Sequence, residues 1–372
     1  MRNYLKKTAI LAATAIVGLI GFRALRRPEA DLRGQIALIT GGTRGLGFLL
    51  AREFAREGCR VVICARDEAE LVRAKADLVQ EGAEVLALVC DVADKEDVRR
   101  MVDDTLDHYG RIDILVNNAG VIQVGPVETM KTEDFEEAFG VMVWGLLYPT
   151  LATLPHMLER RHGRIVNITS IGGKVAVPHL SPYTGAKFAA VGLSEGLRAE
   201  LAGTGVSVTT IVPGLMRTGS YLNAFFKGRQ AGEFTWFSLG ASLPFISMDA
   251  ERASRQIVQA TRRGEAERTL SLPAVLLARF HDLFPGLTTD LLGLVNRILL
   301  PNPDGAGPSA IRGTEVQSRL GSPHRQILDF LTTLGRRAAH RFHQFPGPVT
   351  IPPEERQTTV EEDTETRELD RL

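Results

Sequence analysis

From Gln35 onward the chain alternates short, continuously apolar runs with longer segments of helical period. The runs are QIALIT, RVVICA, EVLALVC, IDILVN, GRIVNIT, VSVTTIV and ERTLSL. Apolar and polar positions do not alternate inside them, as they would in a strand with one wet face. Continuous apolarity fits strands covered on both sides by helices, and hence a parallel sheet. Seven such runs within about 240 residues predict one doubly wound, Rossmann-like α/β domain over residues 34–272.

The pattern changes at both ends. Ahead of the domain, in segment 1–33, TAILAATAIVGLIGF (Thr8–Phe22) is uncharged and apolar between Lys6-Lys7 and Arg23, Arg26 and Arg27. It is somewhat shorter than the roughly 20 residues that span a bilayer core, although Tyr4 and Leu5 extend it. No small-x-small cleavage site follows, so an uncleaved membrane anchor over residues 4–22 is expected in preference to a signal peptide. After Pro273 comes AVLLARFHDLFPGLTTDLLGLVNRILLP, two apolar helical pieces divided at Pro285-Gly286. This extension, residues 273–300, is expected to cover the domain or a second subunit, or to lie on a membrane surface. Residues 301–372 are rich in Pro, Gly and charge, with a helix expected over Pro323–Phe342 and a final stretch of disordered composition.

Composition removes some classes of function. Lysine plus arginine equals aspartate plus glutamate, 44 each, so no net field draws the chain to nucleic acid. Cys59, Cys64 and Cys90 lie in or beside strand runs, with no CxxC pair and no histidine at ligand spacing. They read as buried thiols of a reducing, cytoplasmic compartment, and no metal is expected.

Candidate chemistry begins with TGGTRGLG at residues 40–47, directly after QIALI and before a helical stretch. A glycine-rich turn between strand and helix puts backbone N–H groups and the positive end of a helix dipole beside a pyrophosphate. The second strand, RVVICA, should end at the adenosine ribose, where an acidic residue would bind a 2′-hydroxyl. Here Arg66 follows, with Arg44 in the first turn, and guanidinium groups suit a 2′-phosphate, so the expected cofactor is NADP(H). Asp67, one position later, is read as the cap of the next helix. Asp91-Val92 and Asn117-Asn118-Ala119-Gly120 follow the third and fourth strands, at the sheet edge where ligands bind in such folds.

SPYTGAK places Tyr183 and Lys187 four apart on the start of a helix, hence on one face. An ammonium beside a phenol favours the phenolate and so makes tyrosine a usable general acid for a carbonyl oxygen. Ser170, thirteen residues earlier, can offer a hydroxyl to the same oxygen.

Taken together, TGGTRGLG, NNAG, Ser170, YTGAK and PGLMRT resemble the motifs of the short-chain dehydrogenase/reductase family, of its common single-domain type, over about residues 34–272. The resemblance implies that Tyr183 is the catalytic acid/base, that Ser170 orients the substrate carbonyl, and that Lys187 holds the nicotinamide ribose and lowers the pKa of Tyr183. It places Gly41, Thr43, Arg44, Gly45, Leu46 and Gly47 around the pyrophosphate and adenosine. Asp91 and Val92 would lie at the adenine, Asn118 with Ala119 and Gly120 beside the ribose, and Pro213, Gly214 and Thr218 at the nicotinamide. One position departs: Met142 stands where the family usually has an asparagine that bends its helix around a relay water, which predicts slowed catalysis. Homo-oligomers, formed through the helices that carry Met142 and Tyr183, are also implied.

Between Thr218 and Asp249 the chain carries Tyr221, Phe225, Phe226, Phe234, Trp236, Phe237 and Phe245. These either cover an apolar carbonyl or alcohol substrate or only pack the loop or a second subunit. The expected activity is therefore hydride transfer between NADPH and a lipophilic carbonyl or alcohol at a membrane. A 3-oxoacyl-thioester reductase is the alternative within the family, and a non-catalytic NADP-binding sensor or scaffold is the alternative outside it.

Overall fold

A computed structural model describes residues 29–302 and 309–345; the expected anchor over residues 4–22 and the tail beyond residue 345 lie outside the described residues. All seven expected strands form: β1 Ile36–Thr40, β2 Arg60–Ala65, β3 Val85–Val89, β4 Ile114–Asn117, β5 Gly163–Ile168, β6 Val206–Pro213 and β7 Glu267–Leu270. They make one sheet in the order β7-β6-β5-β4-β1-β2-β3, with every neighbouring pair parallel. Strand order reverses at β1 and β4, which puts a crevice at their carboxyl ends.

Successive side chains of a strand point to opposite faces, so a run apolar at every position feeds two cores at once. Ala37, Ile39, Val61, Ile63, Ile114 and Val116 pack with α1 (Gly45–Arg56), α2 (Glu68–Gln80) and α8 (Ala250–Arg263). Their neighbours Ile36, Leu38, Val62, Cys64 and Leu115 pack on the other face with α3 (Lys95–Tyr109) and Met157 of α5 (Gly145–Glu159). Cys59, Cys64 and Cys90 are free and buried, and burial pushes the Cys59 thiol up to about 12.

Two polar features are built into these cores. Asn117 Nδ2 donates to Thr150 Oγ1 (3.0 Å) and Asn167 Oδ1 (2.9 Å), and Asn167 Nδ2 donates to Ser194 Oγ (3.0 Å), itself 2.7 Å from Thr210 Oγ1. Asn117, Asn167 and Thr210 are in register on β4, β5 and β6, so the ladder ties three strands to α5 and to α6 (Ser181–Glu200). At the opposite end of the sheet, buried Asp113 accepts from the Ile36 N–H (2.9 Å), Arg111 Nε (3.0 Å) and Arg160 Nη2 (2.7 Å).

α4 (Thr132–Phe139) joins α5 through a π-turn over Gly140–Trp144. The continuous stretch Thr132–Glu159 has mean hydropathy 1.4 and is long enough to cross a bilayer, but half of its apolar window is buried in the fold. Its apolarity is that of a core helix.

Beyond β7 the chain is helical: α9 Leu272–Leu283, α10 Pro285–Leu299, α11 Gly313–Arg319, α12 Ser322–Leu331 and α13 Thr333–Arg341. The break between α9 and α10 falls at Phe284, directly ahead of the expected Pro285-Gly286, which instead open α10. The single helix expected over Pro323–Phe342 is two, divided at Thr332, whose hydroxyl donates back to the Leu328 carbonyl (2.7 Å). The division lets α13 lay Gly335 on α7 (Gln230–Ser242), so closely that a methyl group on Gly335 would lie 2.3 Å from Ser242 Oγ.

Candidate active site

The turn after β1 depends on its glycines. Gly41 and Gly45 have φ of +64° and +57°, a region that costs other residues steric strain. A methyl group on Gly47 would lie 2.0 Å from the Gly41 carbonyl oxygen, so only glycine lets α1 start against the turn. Arg44 is the N-cap of α1, no side chain caps the helix, and its first turn holds no acidic residue. The positive end of the dipole is thus not neutralised by charge, and the cradle fits a dinucleotide pyrophosphate.

Asn118 pins this turn from the neighbouring strand. Its Nδ2 donates to the carbonyls of Thr40 (2.9 Å) and Gly41 (3.1 Å), while Thr40 Oγ1 accepts the N–H groups of Asn118 (2.9 Å) and Ala119 (3.1 Å). Ala119 is half-buried and Gly120 exposed at the same edge. Sequence reasoning places Asn118 beside the ribose and passes over Thr40. Contacts between two strand ends explain both, because nothing local in either strand announces them.

Both expected phosphate-binding arginines lie here, each facing an acid. Arg44 Nη1 lies 2.5 Å from Glu70 Oε1, and Thr43 Oγ1 donates to Glu70 Oε2 (3.0 Å). Arg66 Nη1 lies 3.7 Å from Asp91 Oδ2. Asp91 also accepts the Ala93 N–H (3.0 Å), Val92 is buried beside it, and Asp67 caps α2 by accepting the Glu70 N–H (2.9 Å). Glu70 is not among the residues singled out from the sequence. Its position in the first turn of α2, four residues after Arg66, is the available signal.

Ser170 lies two residues beyond β5, as the cap of a short turn over Ile171–Gly173, Tyr183 is in the first turn of α6, and they meet over Gly172. A methyl group there would lie 3.2 Å from Tyr183 Cε1 and 3.5 Å from Ser170 Oγ. Ser170 Oγ accepts the Gly172 N–H (3.0 Å), so its own O–H serves as a donor, here toward the Tyr183 phenol. Lys187 is buried, its Nζ donates to the Ile168 carbonyl (2.8 Å), and that Nζ lies 5.8 Å from the centre of the Tyr183 ring.

Burial pushes the Tyr183 phenol up, opposed by the Ser170 hydrogen bond. Burial pushes the Lys187 ammonium down to about 8, so it still carries its charge at neutral pH. The sequence predicts a lysine-driven lowering of Tyr183. The direction found is upward, because desolvation by burial outweighs the Ser170 hydrogen bond.

Met142 sits inside the π-turn, buried with Ala138 and Ala186 and against Tyr183. The helix is therefore irregular at this position with a methionine, whose thioether lies beside Gly120, in a cluster against which Tyr183 packs. On the remaining side, Pro213 ends β6, Gly214 donates its N–H to the Leu270 carbonyl (3.3 Å), and buried Thr218 accepts the Ser220 N–H (3.2 Å). Of the aromatic residues between Thr218 and Asp249, Tyr221, Phe226, Phe234 and Phe237 are buried in a satellite core with Val316, Leu328 and Ala339. Packing, rather than a substrate lid, describes those four.

The glycine turn, the two arginines and the Ser170, Tyr183 and Lys187 group thus share the carboxyl edge of β1, β2, β4, β5 and β6. Comparison with known proteins points the same way. The profile of the family described as short chain dehydrogenase matches residues 35–225. A dehydrogenase/reductase SDR family protein 7-like chain of Anopheles gambiae is 34% identical over 69% of this chain and 81% of its own length. An 11-beta-hydroxysteroid dehydrogenase of Pinus massoniana is 32% identical over 73% of this chain and 76% of its own.

Among solved structures, a short chain dehydrogenase/reductase of Burkholderia phymatum in complex with NAD superposes with a TM-score of 0.64 at 26% identity, covering 69% of this chain and 96% of that one. A single-site variant of actinorhodin polyketide ketoreductase with NADPH gives 0.56 at 28% identity, over 65% and 97%. With its site motifs, its strand order and a matching profile over half its length, this chain belongs to the short-chain dehydrogenase/reductase family.

Proposed function

We propose that this oxidoreductase uses NADP(H) to interconvert a carbonyl and a hydroxyl group on a lipophilic substrate at a membrane surface. The observation that carries the reading is the meeting of Ser170 and Tyr183 over Gly172, with the Lys187 ammonium beneath them, at the edge of the glycine turn. When bound, the nicotinamide supplies or accepts the hydride. The Ser170 hydroxyl donates a hydrogen bond to the substrate oxygen and fixes its position, and Tyr183 O–H supplies the one proton to that oxygen as negative charge develops. Lys187 keeps a positive charge near the phenol, which eases its ionisation in a site where burial resists it. Arg44 and Arg66 grip the 2′-phosphate once they exchange Glu70 and Asp91 for it.

Support for a lipophilic substrate comes from the extension. α9 and α10 expose Leu272, Leu276, Leu283, Leu287, Leu294 and Ile298. Asn296 and Arg297 at the end of α10, with Leu300 after it, line one side of an open cavity of about 420 Å³ whose other side is Pro126–Glu128, Pro178, His179 and Ser181, the last of these the first residue of the helix that carries Tyr183. Such a face suits the boundary of a bilayer, with the cavity as the route of a lipid-dissolved substrate. Exposed Trp144, Leu151, Leu158 and Phe188 on the helices of Met142 and Tyr183 suit a second copy of the chain. Similarity to a polyketide ketoreductase supports a 3-oxoacyl thioester as the alternative substrate.

The test mixes the full chain in vesicles with NADPH and a panel of hydrophobic ketones, aldehydes and 3-oxoacyl thioesters. Oxidation of NADPH that Tyr183→Phe abolishes is expected. A rate indifferent to that substitution sinks the assignment, and tight NADPH binding without consumption across the panel favours the sensor.

A further inference from the structure

The carboxyl-terminal segment crosses the same groove. The Phe342 carbonyl accepts the N–H of Gly45 (2.8 Å), the first donor of α1 and the group expected to face the pyrophosphate. Gln344 is 4% exposed, and a methyl group on Gly45 would lie 2.6 Å from its Nε2 and 3.9 Å from Thr218 Cβ. Its amide therefore lies between the glycine turn and the residue placed at the nicotinamide end. A dinucleotide running from Arg44 to Thr218 has to pass through the volume that Gln344 fills.

The segment is fastened on both sides. Asn223 Nδ2 donates to the carbonyl oxygen (3.0 Å) and to Oε1 (2.7 Å) of Gln344. The His343 ring lies 4.2 Å from that of Phe48 on α1, and its Nε2 is 2.8 Å from Asp77 Oδ2 on α2. Behind them α13 packs so tightly that a methyl group on Gly219 would lie 2.4 Å from Ala339 Cβ. The closure also carries strain. His343 adopts φ +58°, a left-handed conformation that a residue with a Cβ disfavours, and its Nδ1 is buried without a hydrogen-bond partner.

We propose that Phe342–Phe345 is an autoinhibitory strap that occupies the dinucleotide groove and leaves it when the cofactor binds. The proposal rests on the reading of the glycine turn as the cofactor site. The Phe342 carbonyl stands in for a phosphate oxygen at the helix N-terminus, and the incoming pyrophosphate takes that N–H in its place. Because only the strap-open fraction is competent, apparent affinity is the intrinsic affinity reduced by that fraction. Loosening the strap away from the groove must then tighten cofactor binding.

Asn223→Ala and Gln344→Ala in the full chain serve this purpose, and NADPH binding to each is titrated beside the unaltered protein. Binding about 3- to 10-fold tighter in the variants is expected. In hydrogen–deuterium exchange on the unaltered protein, saturating NADPH should slow exchange over residues 41–47 and speed it over residues 338–345. Affinity unchanged or weakened in both variants, or slower exchange over 338–345 with the cofactor, overturns the strap and leaves the cofactor site standing. Failure of the unaltered protein and of both variants to bind NADPH or NADH overturns the site and the strap together. Binding by the variants alone supports the strap in its strongest form.

Discussion

The extension made by α9 and α10 is more apolar in sequence than the sheet with α1–α8, yet the two dispose of that apolarity in opposite ways. Strands β1 and β2 bury nearly every side chain on two faces, whereas α9 and α10 leave Leu272 69%, Leu283 73% and Leu299 69% exposed. A strand in a covered sheet has helices on each side to receive its side chains; two terminal helices have only the surface they lie on. The comparison separates a region whose apolar residues hold the fold from one whose apolar residues await a partner. Substitutions in the first should damage chemistry or stability, and substitutions in the second should change only where the protein acts.

The largest effect is expected at the phenol. Tyr183→Phe should lower kcat by about 10²- to 10⁴-fold, the usual contribution of a positioned general acid, with the melting temperature little changed. Steady-state NADPH oxidation beside a thermal melt checks both halves. A large fall in stability would show that the hydroxyl, through its hydrogen bond with Ser170, holds the fold rather than the chemistry.

Next comes the buried carboxylate at the far end of the sheet. Asp113 is desolvated, which raises its pKa, but the Ile36 N–H and Arg160 and Arg111 outweigh this and hold it below the usual carboxylate range. Asp113→Asn leaves Arg160 and Arg111 without their counter-charge, and a loss of about 3–5 kcal/mol is expected at neutral pH. The sign with pH follows from the depressed value. Stability due to this group is present above the unfolded pKa and is lost as pH falls through the folded one, so the two proteins should converge in acid denaturation. A constant gap across that range would mean that packing, not charge, is what the substitution removes.

A smaller effect sharpens the comparison inside the site. Arg44→Ala with Arg66→Asp should weaken NADPH binding by about 10- to 100-fold while sparing or improving NADH, since two solvent-exposed guanidinium groups that give up Glu70 and Asp91 for the phosphate contribute together about 1.4–2.8 kcal/mol. Equilibrium titration with both cofactors decides. An unchanged preference would mean that Glu70 and Asp91, and not a phosphate, are the proper partners of these two arginines.

What the sequence displays and what it hides divide along physical lines. The seven strands and the cap at Asp67 are local signals of apolar run and short polar side chain and appear where they are read, while the break expected at Pro285-Gly286 falls one residue earlier, at Phe284, because proline is accepted as the first residue of the next helix. Tyr183 and Lys187 share a helix face because four residues make about one turn. Glu70 beside Arg44, the ladder from Asn117 to Thr210, and Gln344 over Gly45 are contacts between distant elements, and no periodicity encodes them. The aromatic stretch after Thr218 leaves two readings open in the sequence for the same reason. Four of its rings, Tyr221, Phe226, Phe234 and Phe237, pack with Val316, Leu328 and Ala339, residues of the helices after residue 309 whose path cannot be read from composition.

The smallest effect on chemistry, and the most direct trial of the comparison, belongs to the exposed face. Leu276→Ser, Leu283→Ser and Leu291→Ser together remove side chains that are 60%, 73% and 46% exposed, so they leave no cavity in the fold. Turnover of a water-soluble carbonyl should stay within about 2-fold, because nothing that touches the reacting atoms has changed. With a substrate dissolved in the bilayer, KM should rise about 3-fold or more at unchanged kcat, since the face that seats the protein on lipid has lost apolar area. Equal KM for both kinds of substrate would take the bilayer away from this face and return it to a protein partner, while a fall in kcat would show that α9 and α10 support the site after all.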